Sequence, residues 1–170
     1  MAVRALVRFP DNRLRVPAAP VEIFDDALRS LAADLADTMR AAPGIGITGP
    51  HIGVLQRVVA IELSADDEVR NYVNPEITWQ SPETSQQMEG SVSMPGVLDE
   101  IERPARVRVR YQDLTGHERT EEAEGLLALC LQHEIDQLDG LFWIYRLSRL
   151  RRDRVIKRFE KLRREGVADA

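Results

Sequence analysis

An α+β fold is what this sequence predicts, and three observations predict it. Apolar residues recur at helical spacing over two separate stretches, short β-branched runs stand early and centrally, and a Val/Arg alternation ends in a turn and returns. Residues 1–22, rich in Pro and Arg, read as an extended arm. Phe24, Leu28, Leu31, Leu35 and Met39 then recur at spacings of 4, 3, 4 and 4, which predicts an amphipathic helix over Asp25 to Ala41, ended by Pro43 and Gly44. RVVAIEL (57–63) predicts a strand, and RNYVNPEITW (70–79) a strand, a break at Pro75 and a second strand. In ARVRVRYQD, Val107, Val109 and Tyr111 alternate with arginines, and Asp113 to Gly116 turns the chain back into HERTEEAE, a hairpin. Gly125 to Leu138 predicts a helix with Leu126, Leu127, Leu129, Cys130, His133, Gln137 and Leu138 on a broad inward face, capped by Gly140. FWIY leads to a last helix over 148–165, and the whole of 1–170 reads as one domain.

Composition narrows the function classes. A hydrophobic content of 44% with 30% charged residues suits a soluble globule, and no apolar run reaches the roughly 20 residues that span a bilayer. The opening residues meet Asp11 and several arginines too early for a signal peptide, so the expectation is a cytoplasmic protein without membrane association. Cys130 is the only cysteine, which excludes an intrachain disulfide and a multi-thiolate metal site. From Arg149 to Glu165 there are nine Lys or Arg and three Asp or Glu, so the rest of a chain of net charge −5 carries −11. A basic tail on an acidic body can dock on nucleic acid, or its cations can simply face water.

Three stretches bear on chemistry. GIGITG (44–49) satisfies G-x-G-x-x-G, but a helix comes before it and Pro50 after it, so the strand and helix that a dinucleotide site needs are missing. The small residues do allow close backbone approach, and an exposed Gly44-Ile45-Gly46 edge can accept an extended peptide by strand addition. In LQHEIDQLDG (131–140), His133 and Gln137 lie one helical turn apart, where a zinc hydrolase carries two histidines with a glutamate after the first. The third stretch is EGSVSMPG (89–96).

Together the three resemble the signature motifs of the peptide deformylases, which remove the N-formyl group from the initiator methionine of bacterial proteins. GIGITGPH stands for G-I-G-x-A-A-x-Q, EGSVS for E-G-C-x-S, and QHEIDQ for Q-H-E-x-D-H. FPDNRLR, AAPV, RVVAI, VNPEI, LTG and LSRLRRDRVIKRFEKL match the family's flanking segments, so the resemblance runs nearly end to end.

The resemblance implies the family's fold and a metal site, Fe(II) or a substitute such as Ni or Zn, at Ser91, His133 and Gln137. Two of those three positions have lost their ligand type. An alcohol stays protonated at neutral pH and an amide oxygen is a poor ligand beside imidazole. Glu134 is the family's general acid–base, and His51 replaces the glutamine that donates to the formyl oxygen. Gly44, Ile45, Gly46, Val92, Leu126, Leu129 and Cys130 are the implied substrate-binding residues, and Glu89 with Arg103 an implied buried ion pair. The expectation is therefore a deformylase-like protein without the usual metal and with most or all activity lost, still binding an N-terminal Met or formyl-Met peptide. The alternative is an active hydrolase with a rebuilt ligand set of His51, His133 and a carboxylate, Glu134 or Asp136. The family's basic C-terminal helix docks on the ribosome, which implies the same partner for 148–165.

Overall fold

Val58, Val59, Ala60 and Ile61 are all wholly buried, because the strand they form is covered by a helix on each face. A computed structural model describes residues 2–166 and shows this arrangement throughout. Helix α1 (Asp26–Ala41) packs on β1 (Gly46–Thr48) and on the Val58 and Ala60 side of β2 (Val58–Ile61). Helix α2 (Gly125–Leu138) packs against Val59 and Ile61 on the opposite side. A strand buried on both faces needs no polar alternation, which is why RVVAI reads as a continuous apolar run.

The remaining strands are β3 (Arg70–Gln80), β4 (Thr84–Ser91), β5 (Met94–Pro104), β6 (Arg106–Gln112) and β7 (Glu118–Glu124). Five of the seven form an antiparallel sheet in the order β1-β2-β3-β6-β7, and β4 and β5 pair only with each other. Helix α3 (Arg149–Arg164) lies on β5, burying Val155 and Phe159 against Met94, Val97, Ile101 and the arm residues Val7 and Leu14.

The predicted helices form at the predicted places. Asp25 caps α1 by accepting the Leu28 N–H at 3.1 Å, and Gly140 follows α2 in a left-handed turn at φ 81° that its lack of a Cβ permits. Leu35 and Met39 are fully buried, each contributing roughly 1.5–3 kcal/mol. The hairpin of β6 and β7 turns at Asp113–Gly116, where His117 is exposed.

Several expectations need correction. The break expected at Pro75 is absent: β3 is continuous and absorbs Asn74 and Pro75 as a bulge in its pairing with β6, between Val73 and Glu76. Asn74 there has φ 51°, and its side chain bonds Val21 in both directions and Gln112, tying the arm to the sheet. The Gly44–Gly46 edge is only partly exposed. Ile45 is open, but Gly46 is buried where a Cβ would lie 2.8 Å from Glu134 Oε1 and 2.9 Å from Cys130 Sγ. Leu126, expected on the inward face of α2, is exposed because the first turn of that helix stands at the mouth of a cavity. The β4–β5 hairpin was not foreseen from the residues.

Candidate functional site

Helix α2 brings its polar side chains to two different neighbours. His133 Nδ1 donates to Glu89 Oε1 on β4 at 2.8 Å, and Glu89 also receives Arg103 of β5 through two bonds of 2.6 and 2.9 Å. Arg103 reaches Asp136 at 2.9 Å, and Asp136 takes Arg146 through bonds of 2.9 and 2.7 Å. Burial pulls the Glu89 carboxyl up, but the bonds from His133 and Arg103 outweigh it and hold the group down at about 2. The ion pair implied by the resemblance is thus bidentate and joins β4 and β5 to α2.

His51 sits on a 3-10 turn, Gly49–Ile52, capped by Thr48. Pro50 fits the first turn, where its missing N–H would have no partner. The Thr48 N–H donates to His51 Nδ1 at 2.9 Å. That bond requires a lone pair on Nδ1, so the ring is neutral and its single proton is on Nε2. Burial, then the positive His133 nearby, lowers the His51 pKa to about 3, in agreement with the geometry. His51 Nε2 and Glu134 Oε2 are both buried and have no hydrogen-bond partner among the described residues. Glu134 Oε2 stands 3.9 Å from His51 Nδ1 and Glu134 Oε1 4.0 Å from His133 Nε2. Burial pushes the Glu134 carboxyl up to about 7 against the pull of His133.

The other two family ligand positions are engaged elsewhere. Ser91 Oγ accepts the Ser93 N–H at 3.0 Å. Gln137, 2% exposed, donates through Nε2 to the Leu14 carbonyl of the arm at 2.8 Å. Among the described residues no group of three His, Cys, Asp or Glu stands together to hold a metal ion. Asp136, a possible ligand of the rebuilt set, is committed to its two arginines. The donor set present does not fit the family's three-ligand metal.

A cavity of about 520 Å³ unites the rest. Every residue nominated from the sequence as catalytic, substrate-binding or ligating lines it except Gln137 and Asp136. Edge strand β1 and the preceding loop form one wall, the β4–β5 hairpin the other, and α2 the floor. Leu129 and Cys130 are deep in that floor, and burial raises the Cys130 thiol well above its ordinary value, which suits an apolar wall rather than a nucleophile. Sequence reading missed Arg8, which lines the cavity and donates to the Val92 carbonyl at 2.5 Å, and also missed Met88 and Leu98. The last two lie in the unforeseen hairpin, where no alternation marks them.

The family model for polypeptide deformylase matches residues 3–153. A peptide deformylase-like protein of Bradyrhizobium diazoefficiens is 66% identical over 96% of both chains. A peptide deformylase of Phenylobacterium zucineum is 46% identical over 95% of this chain and 97% of its own. Among solved structures, a peptide deformylase from Legionella pneumophila superposes with a TM-score of 0.92 at 38% identity, covering 97% of this chain and 98% of that one. One from Ehrlichia chaffeensis, in complex with actinonin, gives 0.90 at 36% identity, covering 95% and 98%. With the three motif segments gathered around one cavity and the whole fold shared, the chain belongs to the polypeptide deformylase family.

Proposed function

We propose that this member of the family binds the N-terminus of methionine-led peptides and has lost the family's metal-dependent removal of the formyl group. The observation that carries the reading is Gln137, whose amide is spent on the Leu14 carbonyl and which does not line the cavity. With Ser91 an alcohol, one imidazole remains of three ligands, too little for tight divalent metal binding.

What remains suits recognition. Ile45, Leu126, Leu129 and Cys130 offer apolar walls for a methionine side chain, and β1 offers an open edge for an extended backbone. His51 Nε2–H is a fixed donor for a carbonyl oxygen, and Glu134 an acceptor for a terminal N–H. Exposed cations on α3 support a compatible second role, docking on ribosomal RNA. That association should cosediment at low salt and fall steeply as salt rises; salt-insensitive or absent cosedimentation would remove it.

The test is metal per chain by elemental mass spectrometry on anaerobically purified protein, alongside formate release from a formyl-Met peptide. Near-zero metal and no formate are expected. A full equivalent of Fe, Zn or Ni with formate release would instead establish the rebuilt-site enzyme. The unpartnered Glu134 Oε2, 3.9 Å from His51 in the same cavity, favours that second reading. His51 would ligate through Nε2 only after losing the proton it carries there, and His51→Ala would then empty the site.

A further inference from the structure

Thirteen of the fourteen arginines before α3 donate a side-chain hydrogen bond to a carboxylate or a backbone carbonyl. The fourteenth, Arg15, closes the short turn Asn12–Arg15 of the arm and has no such acceptor among the described residues. Its guanidinium carbon stands 4.7 Å from the centre of the Tyr145 ring, and Arg152 of α3 brings a second guanidinium to the same ring at 5.2 Å. Arg152 has no carboxylate partner either among the described residues. In a chain of net charge −5 a shortage of acids does not explain this.

A second ring supplies the contrast. Arg106 and Arg108 flank Trp79, each at 5.7 Å, but they are paired with Glu83 and Glu122. Around Tyr145 the acids on the converging elements are already engaged. Asp11 holds Arg13, Asp136 holds Arg103 and Arg146, and Asp139 holds Arg57. Asp153 follows Arg152 on α3, and consecutive helical residues do not face each other.

An aromatic ring fixes a guanidinium without neutralising it. Like charges gathered in this way favour an incoming anion. Guanidinium planes also stack on unpaired bases, which a lysine ammonium does not do. The patch runs on into Arg149 to Glu165, where nine Lys or Arg stand against three Asp or Glu. A planar ring with planar guanidiniums suits a nucleobase better than a lipid headgroup.

We propose that Arg15, Tyr145 and Arg152 form a platform on which an unpaired base of an RNA strand stacks, while the cations of α3 hold the phosphates that follow. The proposal rests on the RNA-docking role of α3 and adds to it a contact outside that helix and a preference for single strands.

Fluorescence anisotropy of the full chain with a labelled single-stranded RNA of about twelve nucleotides tests it. Arg15→Lys with Arg152→Lys keeps both charges and should weaken binding about fivefold, with less than about a twofold change for the matching RNA duplex. Arg15→Gln with Arg152→Gln should weaken single-strand binding about tenfold or more and flatten its salt dependence. Arg106→Gln with Arg108→Gln, an equal loss of charge beside the other ring, should cost less than about twofold. Native affinity in the lysine pair overturns the platform, and a loss in Lys157→Gln with Lys161→Gln would then leave the α3 role standing. Equal losses in the two glutamine pairs reduce the effect to overall charge and also overturn the platform. Native protein that ignores RNA at low salt overturns both, and binding of phosphatidylglycerol vesicles in its place would assign the patch to a lipid surface.

Discussion

Neighbouring positions on helix α2 face two polar regions that are differently finished. On one side His133 and Asp136 join Glu89, Arg103 and Arg146 in a network in which each charge meets an opposite one. On the other, His51 Nε2 and Glu134 Oε2 meet nothing within the described protein. Buried polar groups in folded proteins are nearly always paired, so the finished region is architecture and the unfinished one is where something else comes in. The two share a helix, which lets the network hold the open end in place.

The largest expected effect comes from rebuilding a ligand set around His133, where the two regions meet. Ser91→Cys with Gln137→His restores the family's ligand types beside His133, and a divalent ion should then bind with about 10 kcal/mol or more. Isothermal titration with Zn(II) measures it. A double variant that stays empty would mean that the cavity, and not only its ligands, has been remodelled.

Breaking the finished side comes next. Arg103→Leu leaves Glu89 and Asp136 without their shared guanidinium and should destabilise the fold by about 3–5 kcal/mol, lowering Tm by roughly 10 °C or more. A change under about 1 kcal/mol in thermal unfolding would show that the network does not hold the hairpin to α2.

Glu134→Gln should act in the opposite direction, and only at higher pH. The carboxyl titrates at about 7 when folded against an ordinary 4.5, so ionising it weighs on the folded state. That penalty is absent below the ordinary value, grows between the two, and is full above 7. The variant should match the native protein at acid pH and exceed it by about 3 kcal/mol at pH 8–9, read from denaturant unfolding at both ends. Equal stabilities at high pH would mean that Glu134 already has a donor.

The smallest effect is Gln137→Ala. Removing the amide leaves the Leu14 carbonyl without this donor and should cost about 1–2 kcal/mol by chemical denaturation, with cavity binding unchanged. Loss of peptide binding at unchanged stability would move Gln137 from the finished region to the open one.

How much of this was legible in the sequence differs by element. Helices α1 and α2 and the β6–β7 hairpin announce themselves through local period and turn chemistry. TSQQMEGS, the β4 strand, does not. Its faces are a solvent side and a cavity side, so no apolar alternation marks it, and its partners Arg103 and His133 lie 14 and 44 residues from Glu89. Pro75 read as a break because a bulge that uses Asn74 at positive φ depends on Val21 and Gln112, both far along the chain. The motif residues were placed at the cavity by resemblance. The tautomer of His51 was not readable, since it rests on Thr48 folding back in a short turn. Nor was the fate of Gln137, whose partner is 123 residues away.

That last distance has a consequence for how the chain acquires its shape. Leu14 receives Gln137, and Ala18 donates to the Leu138 carbonyl at 2.8 Å, so the arm made first is fastened by a helix made near the end. Closing so long a loop must precede these bonds, and contacts of this range slow folding. During synthesis, Val7 and Ala19 can meet His51 and Leu55 early, but Leu14 and Ala18 lack these two partners until α2 has emerged. The walls of the cavity then come together in the same late step that fastens the beginning of the chain.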